Sequence, residues 1–355
     1  MKANFLAGPV ALRADVSAAF QNPPLSHREP AFLEMMRRTR ASLNTLVNAS
    51  HVALLVGSGT LANDAVAAQL QRAAGSGLVL SNGEFGERLI DHAKRWDLAF
   101  TAEQRDWGHA FPWRSLREAT QRHPPTWIWA VLSETSTGVI NPLSELLALS
   151  EGVGAQLCVD AVSAVGLMPV DLERVGFATA VSGKGLAALP GLAAVFHRGR
   201  PARSEHIPRY LDLANYEAAD GVPFTHSSNL LAALDRSLTH TCWSRKFERV
   251  RRESATLRAA LRKHGLPPLA ADADAAPGII TVALPSDVSA TEVASALLEH
   301  GFQIACQSSY LRQRNWLQIC LMGEFDETAL RRLPGTLAEH VAIIHGLRRR
   351  SSHVF

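Results

Sequence analysis

The amino-acid sequence predicts an α/β fold in which helices cover both faces of a mostly parallel sheet. Two observations lead to this prediction. In residues 52–159, short apolar runs typical of β-strands alternate with amphipathic stretches typical of helices, as in proteins with parallel sheets. The chain of 355 residues is also 47% hydrophobic and only 19% charged, which provides apolar material for a large core and argues against a disordered chain.

The strands and helices of the first half can be predicted one by one. Each expected strand is a short apolar run, and each expected helix is an amphipathic stretch that follows one. Strands are expected at residues 52–56, 77–80, 127–132 and 157–159, and helices from about residues 61 and 86. Continuous apolar runs of this kind are typical of strands that are buried on both faces.

The second half of the chain predicts a different organisation. Residues 229–264 intersperse Arg, Lys and Glu among Leu and Ala, as expected for one long helix that joins two domains. After two consecutive prolines, strands are expected at 278–284, 302–305 and 316–321, and helices at 290–300 and from about 326. We therefore predict a large domain of residues 15–240 and a small α+β domain formed by residues 1–14 and 241–355.

Composition and charge disfavour several classes of partner. The net charge of +3 is spread along the chain, and the one basic cluster, residues 348–350, predicts a solvated helix end, so no nucleic-acid partner is expected. No uncharged apolar run reaches membrane-spanning length, and the first residues do not form a signal peptide. The four cysteines show no metal-binding spacing, so we expect reduced thiols, no metal and a cytoplasmic protein.

A turn rich in glycine and hydroxyl residues predicts an anion-binding site. Gly57, Ser58, Gly59 and Thr60 follow a predicted strand and open a predicted helix. Glycines let the backbone approach an anion, hydroxyls donate to it, and the helix N-terminus adds unpaired N–H groups and a favourable dipole. The turn is also compatible with an ordinary helix cap, and it lacks the lysine of a Walker loop.

Two further residues belong to the same pattern. Asp160 ends a predicted strand, at the sheet edge where ligands bind in open α/β folds, although it could equally cap a helix. Lys184 stands in the turn 181–186 between apolar segments, where an amine is either an ordinary surface group or the partly desolvated amine that Schiff-base chemistry requires. The chain contains the anion turn, then the Asp, and then the Lys 24 residues after the Asp. This combination in this order is much harder to obtain by chance than any one of the three features alone.

With these motifs the chain resembles the class V, fold-type I pyridoxal-phosphate (PLP) aminotransferases. The resemblance is closest to the 2-aminoethylphosphonate:pyruvate and alanine:glyoxylate (serine:pyruvate) branch, and it covers nearly the whole chain. The matching stretches are residues 8–10, 26–28, 57–60, 82–88, 134–138, 159–163, Lys184 with 189–191, and 224–225. The resemblance implies a seven-stranded, mostly parallel sheet between helices, a small C-terminal α+β domain and PLP as cofactor.

The resemblance also implies which residues hold the phosphate of PLP. Ser58, Gly59 and Thr60 would bind the phosphate within one subunit. Thr225 would reach the phosphate of the neighbouring subunit's cofactor. Such a site implies a homodimer.

Around the ring, the resemblance implies one role for each matching position. Phe85 would stack on the pyridine ring, although a core Phe is also compatible with the sequence, and Thr135 would bond near the 3-oxygen of the ring. Asp160 would pair with the protonated ring nitrogen. Lys184 would form the Schiff base and shuttle the proton, with Ser182 beside it among the cofactor-binding residues.

The sequence departs from the family at the residue expected to bind substrate. The family has an Arg there, whereas the run 316–323 carries Gln318, which cannot form a bidentate, charge-assisted contact with a carboxylate or phosphonate. Arg312 and Arg314 in the preceding loop are candidates to replace it, although both are equally compatible with surface residues, and Arg28 or an Arg of the partner subunit are further candidates. The amino donor could therefore lack a carboxylate.

Three functions stay open at this point. The leading hypothesis is transfer of an amino group from a small amine or amino acid (2-aminoethylphosphonate-like, alanine or serine) to a 2-keto acid such as pyruvate or glyoxylate. Gln318 favours a second, a PLP lyase acting on a small amino compound. Gly183 stands where the family has Asn or Gln, after a loop that is two residues longer in the family, so altered surroundings of the cofactor are expected. The third, a catalytically silent PLP-binding protein, is disfavoured because Lys184 and Asp160 occur together with the anion turn.

Overall fold

The computed structural model describes residues 2–351, with side chains described up to residue 347, and it forms an α/β fold. The strands are β1 (Ala3–Phe5), β2 (His51–Val56), β3 (Gly77–Ser81), β4 (Phe100–Gln104), β5 (Trp127–Val131), β6 (Ser133–Glu134), β7 (Val139–Ile140), β8 (Gln156–Asp160), β9 (Phe177–Val181), β10 (Leu192–His197), β11 (Ile279–Ala283), β12 (Phe302–Ile304) and β13 (Trp316–Cys320). The helices are α1 (Ala14–Phe20), α2 (Pro30–Val47), α3 (Gly59–Leu70), α4 (Glu84–Arg95), α5 (Trp113–Arg122), α6 (Leu143–Glu151), α7 (Leu213–Ala218), α8 (Ser228–His240), α9 (Trp243–Lys263), α10 (Ala290–Glu299), α11 (Ser309–Arg314) and α12 (Glu327–Ser351). Every strand and helix predicted from the sequence is present within a few residues, except at 229–264.

A seven-stranded sheet forms the centre of the molecule. Its strand order is β2-β10-β9-β8-β5-β3-β4, and β10 alone runs antiparallel to its neighbours. The predicted mostly parallel seven-stranded sheet is therefore confirmed. The sequence did not single out β4, β9 and β10 as strands, because β4 is a largely exposed edge strand and the other two flank an irregular, functional segment.

Both faces of the central sheet are buried. In β2, Val52 and Leu54 pack into the core on one face, whereas Ala53 and Leu55 pack into the core on the other. Each fully buried Leu or Val contributes about 1.5–3 kcal/mol relative to its exposed state. The two apolar layers explain why the strands read as continuous apolar runs instead of alternating ones.

The C-terminal elements form a separate apolar cluster. Strand β11 pairs with β13 and the N-terminal strand β1 pairs with β12, so the first residues join the C-terminal elements. The cluster contains Phe5, Val282, Leu297, Ile319 and Leu333. This arrangement supports the proposed division into 15–240 and 1–14 plus 241–355, whose exact boundaries stay a prediction.

The prediction of one long helix over residues 229–264 is wrong, because α8 and α9 are separate helices. Thr241 is extended (φ −101°, ψ 124°), and Cys242 begins the next helix. The Thr241 hydroxyl donates to the Ser237 carbonyl at 2.7 Å, which is the carbonyl that the Thr241 N–H would bond in a continuous helix. A side-chain hydrogen bond thus replaces the backbone bond and lets the chain turn.

Two other expectations concern surfaces and membranes. Within the described part of the chain, none of the helices is both long and apolar enough to cross a membrane. The residues 348–350 continue α12 as a helix, but their side chains lie outside the described residues, so their predicted solvation stays a prediction.

Candidate active site

A cavity of about 540 Å³ lies at the edge of the central sheet where the parallel strands end. It brings together the anion turn, the strand-end carboxylate and the lysine that the sequence singled out. Its lining includes Ser58, Gly59, Thr60, Asn63, Phe85, Arg88, His92, Asp160 and Lys184, with Gly8 from the N-terminal segment. Ser58 and Lys184, which are 126 positions apart in the chain, therefore share one site because their strands end side by side.

The anion turn forms the N-terminus of α3. Ser58 is the N-cap residue in an extended conformation, and its hydroxyl makes no capping bond. The first N–H groups of a helix have no carbonyl partner within it, so the backbone of Gly59 and Thr60 offers donors to a ligand. A Cβ atom at Gly59 would lie 3.1 Å from Val162, so glycine also keeps this end of the cavity open. The turn therefore suits a phosphate group.

Asp160 is held rigidly at the end of β8. It is 5% exposed, and its Oδ2 accepts a hydrogen bond from Asn63 Nδ2 at 2.8 Å. Its Oδ1 accepts one from the Val162 N–H at 2.9 Å. Asn63 is oriented in turn by Thr179, whose hydroxyl donates to the Asn63 Oδ1 at 3.0 Å. These contacts fix one carboxylate orientation at the floor of the cavity.

Lys184 lines the same cavity as the anion turn, with its amine in the cavity. Its Nζ donates to Ser163 Oγ at 2.8 Å and lies 5.1 Å from the centre of the Phe85 ring. Ser163 Oγ is hydrogen-bonded to Thr135 Oγ1 at 2.5 Å, so Thr135 is linked to Lys184 through one hydroxyl. Burial lowers the pKa of the Lys184 amine, and nearby Asp160 counteracts part of this shift. A neutral lysine amine can act as nucleophile and base.

The turn that carries Lys184 is tightly packed. The Ser182 hydroxyl donates to the Leu189 carbonyl at 2.6 Å and accepts from the Leu192 N–H at 3.2 Å. A Cβ atom at Gly183 would lie 2.8 Å from Pro190, so only glycine fits between these backbones. The structure thus gives Ser182 a role in holding the turn, and it explains why Gly183 stands where the family has a larger residue.

Phe85 is positioned by a buried carboxylate that the sequence analysis did not assign a role. Glu134 is fully buried, and it accepts hydrogen bonds from the N–H groups of Phe85, Gly86 and Ser136 and from the Ser136 hydroxyl. Burial raises the pKa of Glu134, and the Ser136 hydroxyl and these N–H groups counteract the shift. The carboxyl group binds the first turn of α4 and so fixes the Phe85 ring at the cavity wall.

The three arginines that are candidates to replace the missing substrate arginine lie outside the cavity. Arg28, Arg312 and Arg314 are exposed and are not among the described residues that line the cavity. The Arg314 guanidinium stacks on Trp107, with its central carbon 3.8 Å from the ring centre. Thr225 is also exposed and outside this cavity, so its predicted contact with a neighbouring subunit's cofactor stays a prediction.

Arg88 is the arginine that the cavity does contain. Its guanidinium carbon lies 4.9 Å from the centre of the Phe85 ring, and its Nε and Nη2 donate to Glu84 Oε1 at 2.9 and 2.8 Å. In the sequence it is marked only by its place in the matching stretch 82–88. Its position three residues after Phe85 on an amphipathic helix is the signal that could have identified it, since such residues share a helix face.

Gln318 is completely buried on β13. Its side-chain Nε2 donates to the Thr135 carbonyl and, at 3.0 Å, to the Thr281 hydroxyl. It thereby joins the C-terminal elements to the loop that carries Thr135. No positive charge stands at this position, as the sequence indicated.

Asn63 and Ser163 are further site residues that the sequence analysis missed. Asn63 faces Asp160 from α3, and Ser163 bridges Lys184 and Thr135. Asn63 lies one turn after the anion motif, which was a weak signal for the cavity-facing side of that helix. The described residues contain no group of three or more His, Cys, Asp or Glu side chains that could hold a metal ion.

The fold and the cavity together define a PLP-dependent enzyme of fold type I. The chain belongs to the class-V aminotransferase family, whose family profile (Aminotransferase class-V) matches residues 15–208. The resemblance found in the motifs is therefore confirmed, together with PLP as the family's cofactor and aminotransferase as its enzyme class.

Proteins similar to this chain carry different functional names. The chain is 32% identical over 315 residues to a protein of Anabaena cylindrica named soluble hydrogenase 42 kDa subunit, covering 84% of this chain and 82% of the relative. It is 37% identical over 154 residues to a 2-aminoethylphosphonate–pyruvate transaminase of Pseudomonas fluorescens, covering 42% of this chain and 41% of that enzyme. The crystal structure of an alanine–glyoxylate aminotransferase from Nostoc sp. superposes with a TM-score of 0.87 at 26% identity, covering 96% and 95% of the two chains.

Proposed function

We propose that this aminotransferase moves an amino group from a small amine or amino acid to a 2-keto acid such as pyruvate or glyoxylate. The observation that carries the proposal is the meeting of the Lys184 amine, the Asp160 carboxylate and the unpaired N-terminus of α3 in one cavity. The names of the relatives supply the candidate acceptors, since pyruvate and glyoxylate occur in them.

The residues of the cavity fit PLP. When bound, this cofactor supplies an electron sink that stabilises negative charge on the substrate carbon beside the amine. Ser58, Gly59 and Thr60 would hold the phosphate at the N-terminus of α3. Asp160, oriented by Asn63, would keep the ring nitrogen protonated, and the rest of the ring would lie against Phe85.

Lys184 would hold the cofactor and then move the proton. Burial favours its neutral form, whose Nζ would accept and hold the proton taken from the substrate carbon. Ser163 keeps the amine within 2.8 Å of one hydroxyl and so restricts its position. Thr135, on the other side of Ser163, would lie near the 3-oxygen of the ring.

Arg88 is our candidate for binding the carboxylate of the keto acid. It lines the same cavity as Lys184, whereas Arg28, Arg312 and Arg314 do not. Glu84 holds the guanidinium through Nε and Nη2, which orients it beside Phe85. A guanidinium is the side chain best suited to a carboxylate.

We further propose a cytoplasmic homodimer in which Thr225 of each subunit contacts the cofactor of the other. The exposed position of Thr225, outside its own cavity, is compatible with such a contact. All four cysteines are free, as expected for a protein in a reducing compartment.

The absorption spectrum of the purified protein with PLP tests the proposal. We expect a visible band in the wild type and in the control Lys94→Ala, whose lysine is exposed, but not in Lys184→Ala. An effective amino donor should remove the band and release its keto product, and pyruvate or glyoxylate should restore it. A protein without the band would contradict the cofactor site. Catalytic turnover of the donor without any keto acid would instead indicate a lyase, which the neutral Gln318 favours.

A further inference from the structure

Lys246, in the first turn of α9, joins the turn that carries Lys184 to the segment after β13. Its Nζ donates hydrogen bonds to the Gly185 carbonyl and, at 3.3 Å, to the Met322 carbonyl. Gly185 directly follows Lys184, and Met322 lies two residues after the end of β13. One ammonium group therefore connects the active-site turn with the C-terminal elements.

The ammonium group of Lys246 is partly buried and carries its charge near neutral pH. Its Nζ lies 5.4 Å from the centre of the Trp243 ring. Burial lowers its pKa to about 8 in spite of the nearby Glu324, and Arg13 and Arg249 act in the same direction as burial. The protonated form therefore predominates at pH 7, and hydrogen bonds from a charged donor are stronger than neutral ones.

The two carbonyl groups depend on this one side chain. Among the described residues, no other group donates a hydrogen bond to the carbonyl of Gly185 or of Met322. A backbone carbonyl that is buried without a donor is unfavourable. Without Lys246, the turn and the C-terminal segment would therefore lose the contact that sets the distance between them.

The backbone of Gly185 is also in contact with the segment that follows Asp160. A Cβ atom at Gly185 would lie 2.3 Å from the Val165 carbonyl oxygen, so the two backbones touch. The same segment contains Ser163, whose hydroxyl accepts the hydrogen bond from Lys184. A displacement of the Gly185 backbone would therefore change the geometry between Lys184 and Ser163.

We propose that Lys246 is a positioning residue for the amino transfer, because it holds the Gly185 carbonyl to the Met322 carbonyl and so fixes the place of the Lys184 amine in its cavity. This inference rests on the function proposed above and adds a residue to the step that Lys184 performs. Lys246 is not among the described residues that line the Lys184 cavity, so it acts through the turn and not on the substrate.

Three variants of α9 test the proposal. Lys246→Met keeps most of the length of the side chain but cannot donate a hydrogen bond. Lys263→Met is a control that makes the same substitution at an exposed position. Ser254→Ala is a second control, since it removes a different buried hydrogen bond, which the Gly278 N–H donates to Ser254 Oγ at 2.7 Å. The second control shows what a general loss of stability does to the same measurements.

The first measurement is hydrogen exchange of backbone amides in the cofactor-free protein, followed by mass spectrometry. The Ala187 N–H donates to the Lys184 carbonyl at 2.8 Å, so peptides that cover residues 182–189 report on the turn. We expect exchange in these peptides to be about 10-fold faster in Lys246→Met than in the wild type. The two control variants should exchange there as the wild type does.

The second measurement uses the spectrum with PLP. The visible band should form in Lys246→Met, but its circular dichroism should be weaker because the ring is held in a less fixed orientation. The limiting rate at which an effective amino donor removes the band should fall about 10-fold. The donor concentration that gives half of this rate should change by less than about 2-fold, since Lys246 does not touch the donor. Ser254→Ala should leave all three quantities close to those of the wild type.

The outcomes separate this inference from the proposed function. Unchanged exchange in the turn or an unchanged limiting rate in Lys246→Met would each contradict the positioning role, and so would equal effects of Ser254→Ala. If the wild type forms no visible band, the proposed function fails, whereas the exchange measurement does not depend on the cofactor. If Lys246→Met does not fold, Lys246→Gln, which keeps a neutral donor, should show the same effects in smaller size.

Discussion

At the scale of single residues, the site depends on side chains that orient the reactive groups. Asp160 has its direction set by Asn63 and the Val162 N–H, and Lys184 has its position set by Ser163. Buried polar groups of this kind are costly unless each has a partner, so removing one partner affects the next. Two predictions follow from these contacts.

The first prediction concerns Asn63. Asn63→Leu should weaken PLP binding about 10-fold, because Asp160 loses the donor that orients it toward the cofactor. Titration with PLP, followed by absorbance, measures the dissociation constant. Gln69→Leu is a matched control, since Gln69 is a buried amide on the same helix that bonds the Leu211 carbonyl instead. Equal effects of the two substitutions would show that Asn63 acts only through stability.

The second prediction concerns the pH dependence of Lys184 in the cofactor-free protein. Burial lowers its pKa below that of the unfolded chain, so burying this amine disfavours folding at pH 7, well below the unfolded value of 10.5. As pH rises from the folded pKa toward 10.5, the folded state releases its proton first and this cost disappears. Lys184→Met should therefore raise the urea midpoint at pH 7 and raise it less at pH 10.

The exposed Lys94→Met is the control, and its effect on the urea midpoint should be small at both pH values. If the increase in urea midpoint caused by Lys184→Met is the same at pH 7 and pH 10, or larger at pH 10, the result would contradict the lowered pKa of Lys184.

At the scale of elements, turns and helix ends decide where the reactive groups lie. Helix α3 offers an uncapped N-terminus, α4 has its first turn bound by Glu134, and the turn after β9 is closed by Ser182. Each of these features needs two segments distant in sequence to approach closely. A small increase in side-chain size at such a point should therefore displace the site.

Gly183 provides the corresponding prediction. Gly183→Ala would place a Cβ atom 2.8 Å from Pro190, so the turn that carries Lys184 must shift. We expect a loss of about 1–3 kcal/mol in the free energy of unfolding and weaker PLP binding. Gly199→Ala is the control, because a Cβ atom there meets nothing within 4 Å. Urea unfolding and PLP titration measure both effects, and equal behaviour of the two variants would refute the packing argument.

At the scale of the whole molecule, the central sheet places the strand ends at one edge, and the C-terminal elements cover that edge. The hydrogen bond from Gln318 to the Thr135 carbonyl is one direct link between the two parts. The family resemblance implies a homodimer, and in the dimer that we propose Thr225 of the second subunit would complete the phosphate site.

Mixed dimers test this last expectation. Thr225→Val should weaken PLP binding about 10-fold, since one hydrogen bond to a charged phosphate is lost. When Thr225→Val and Lys184→Ala subunits are mixed, unfolded and refolded together, one site in each hybrid has both an intact Lys184 and a partner with Thr225. This site should bind PLP as tightly as the wild type. If Thr225 acts within its own subunit, the hybrids should not regain wild-type affinity. Sedimentation that shows only monomers of 38.4 kDa would also contradict the proposed dimer.

Local sequence was sufficient to predict seven of the thirteen strands, four of the helices and the main candidate site residues. The apolar runs predicted four strands of the central sheet, and the glycine-rich turn, Asp160 and Lys184 predicted one site, because their chemistry is visible in short segments. The sequence did not predict that α8 and α9 are separate, since the residues around Thr241 carry no proline or glycine that would mark the end of a helix.

The sequence by itself thus determined the α/β class and the family, and it predicted which lysine and carboxylate are the reactive ones. Only the tertiary structure decided that Arg88 enters the cavity, that Ser182 holds a turn and that Gln318 has a buried, unpartnered oxygen. The physical reason is that a hydrogen bond between distant segments depends on which groups the packed strands and helices bring within about 3 Å of each other. Short-range patterns in the chain do not contain that information.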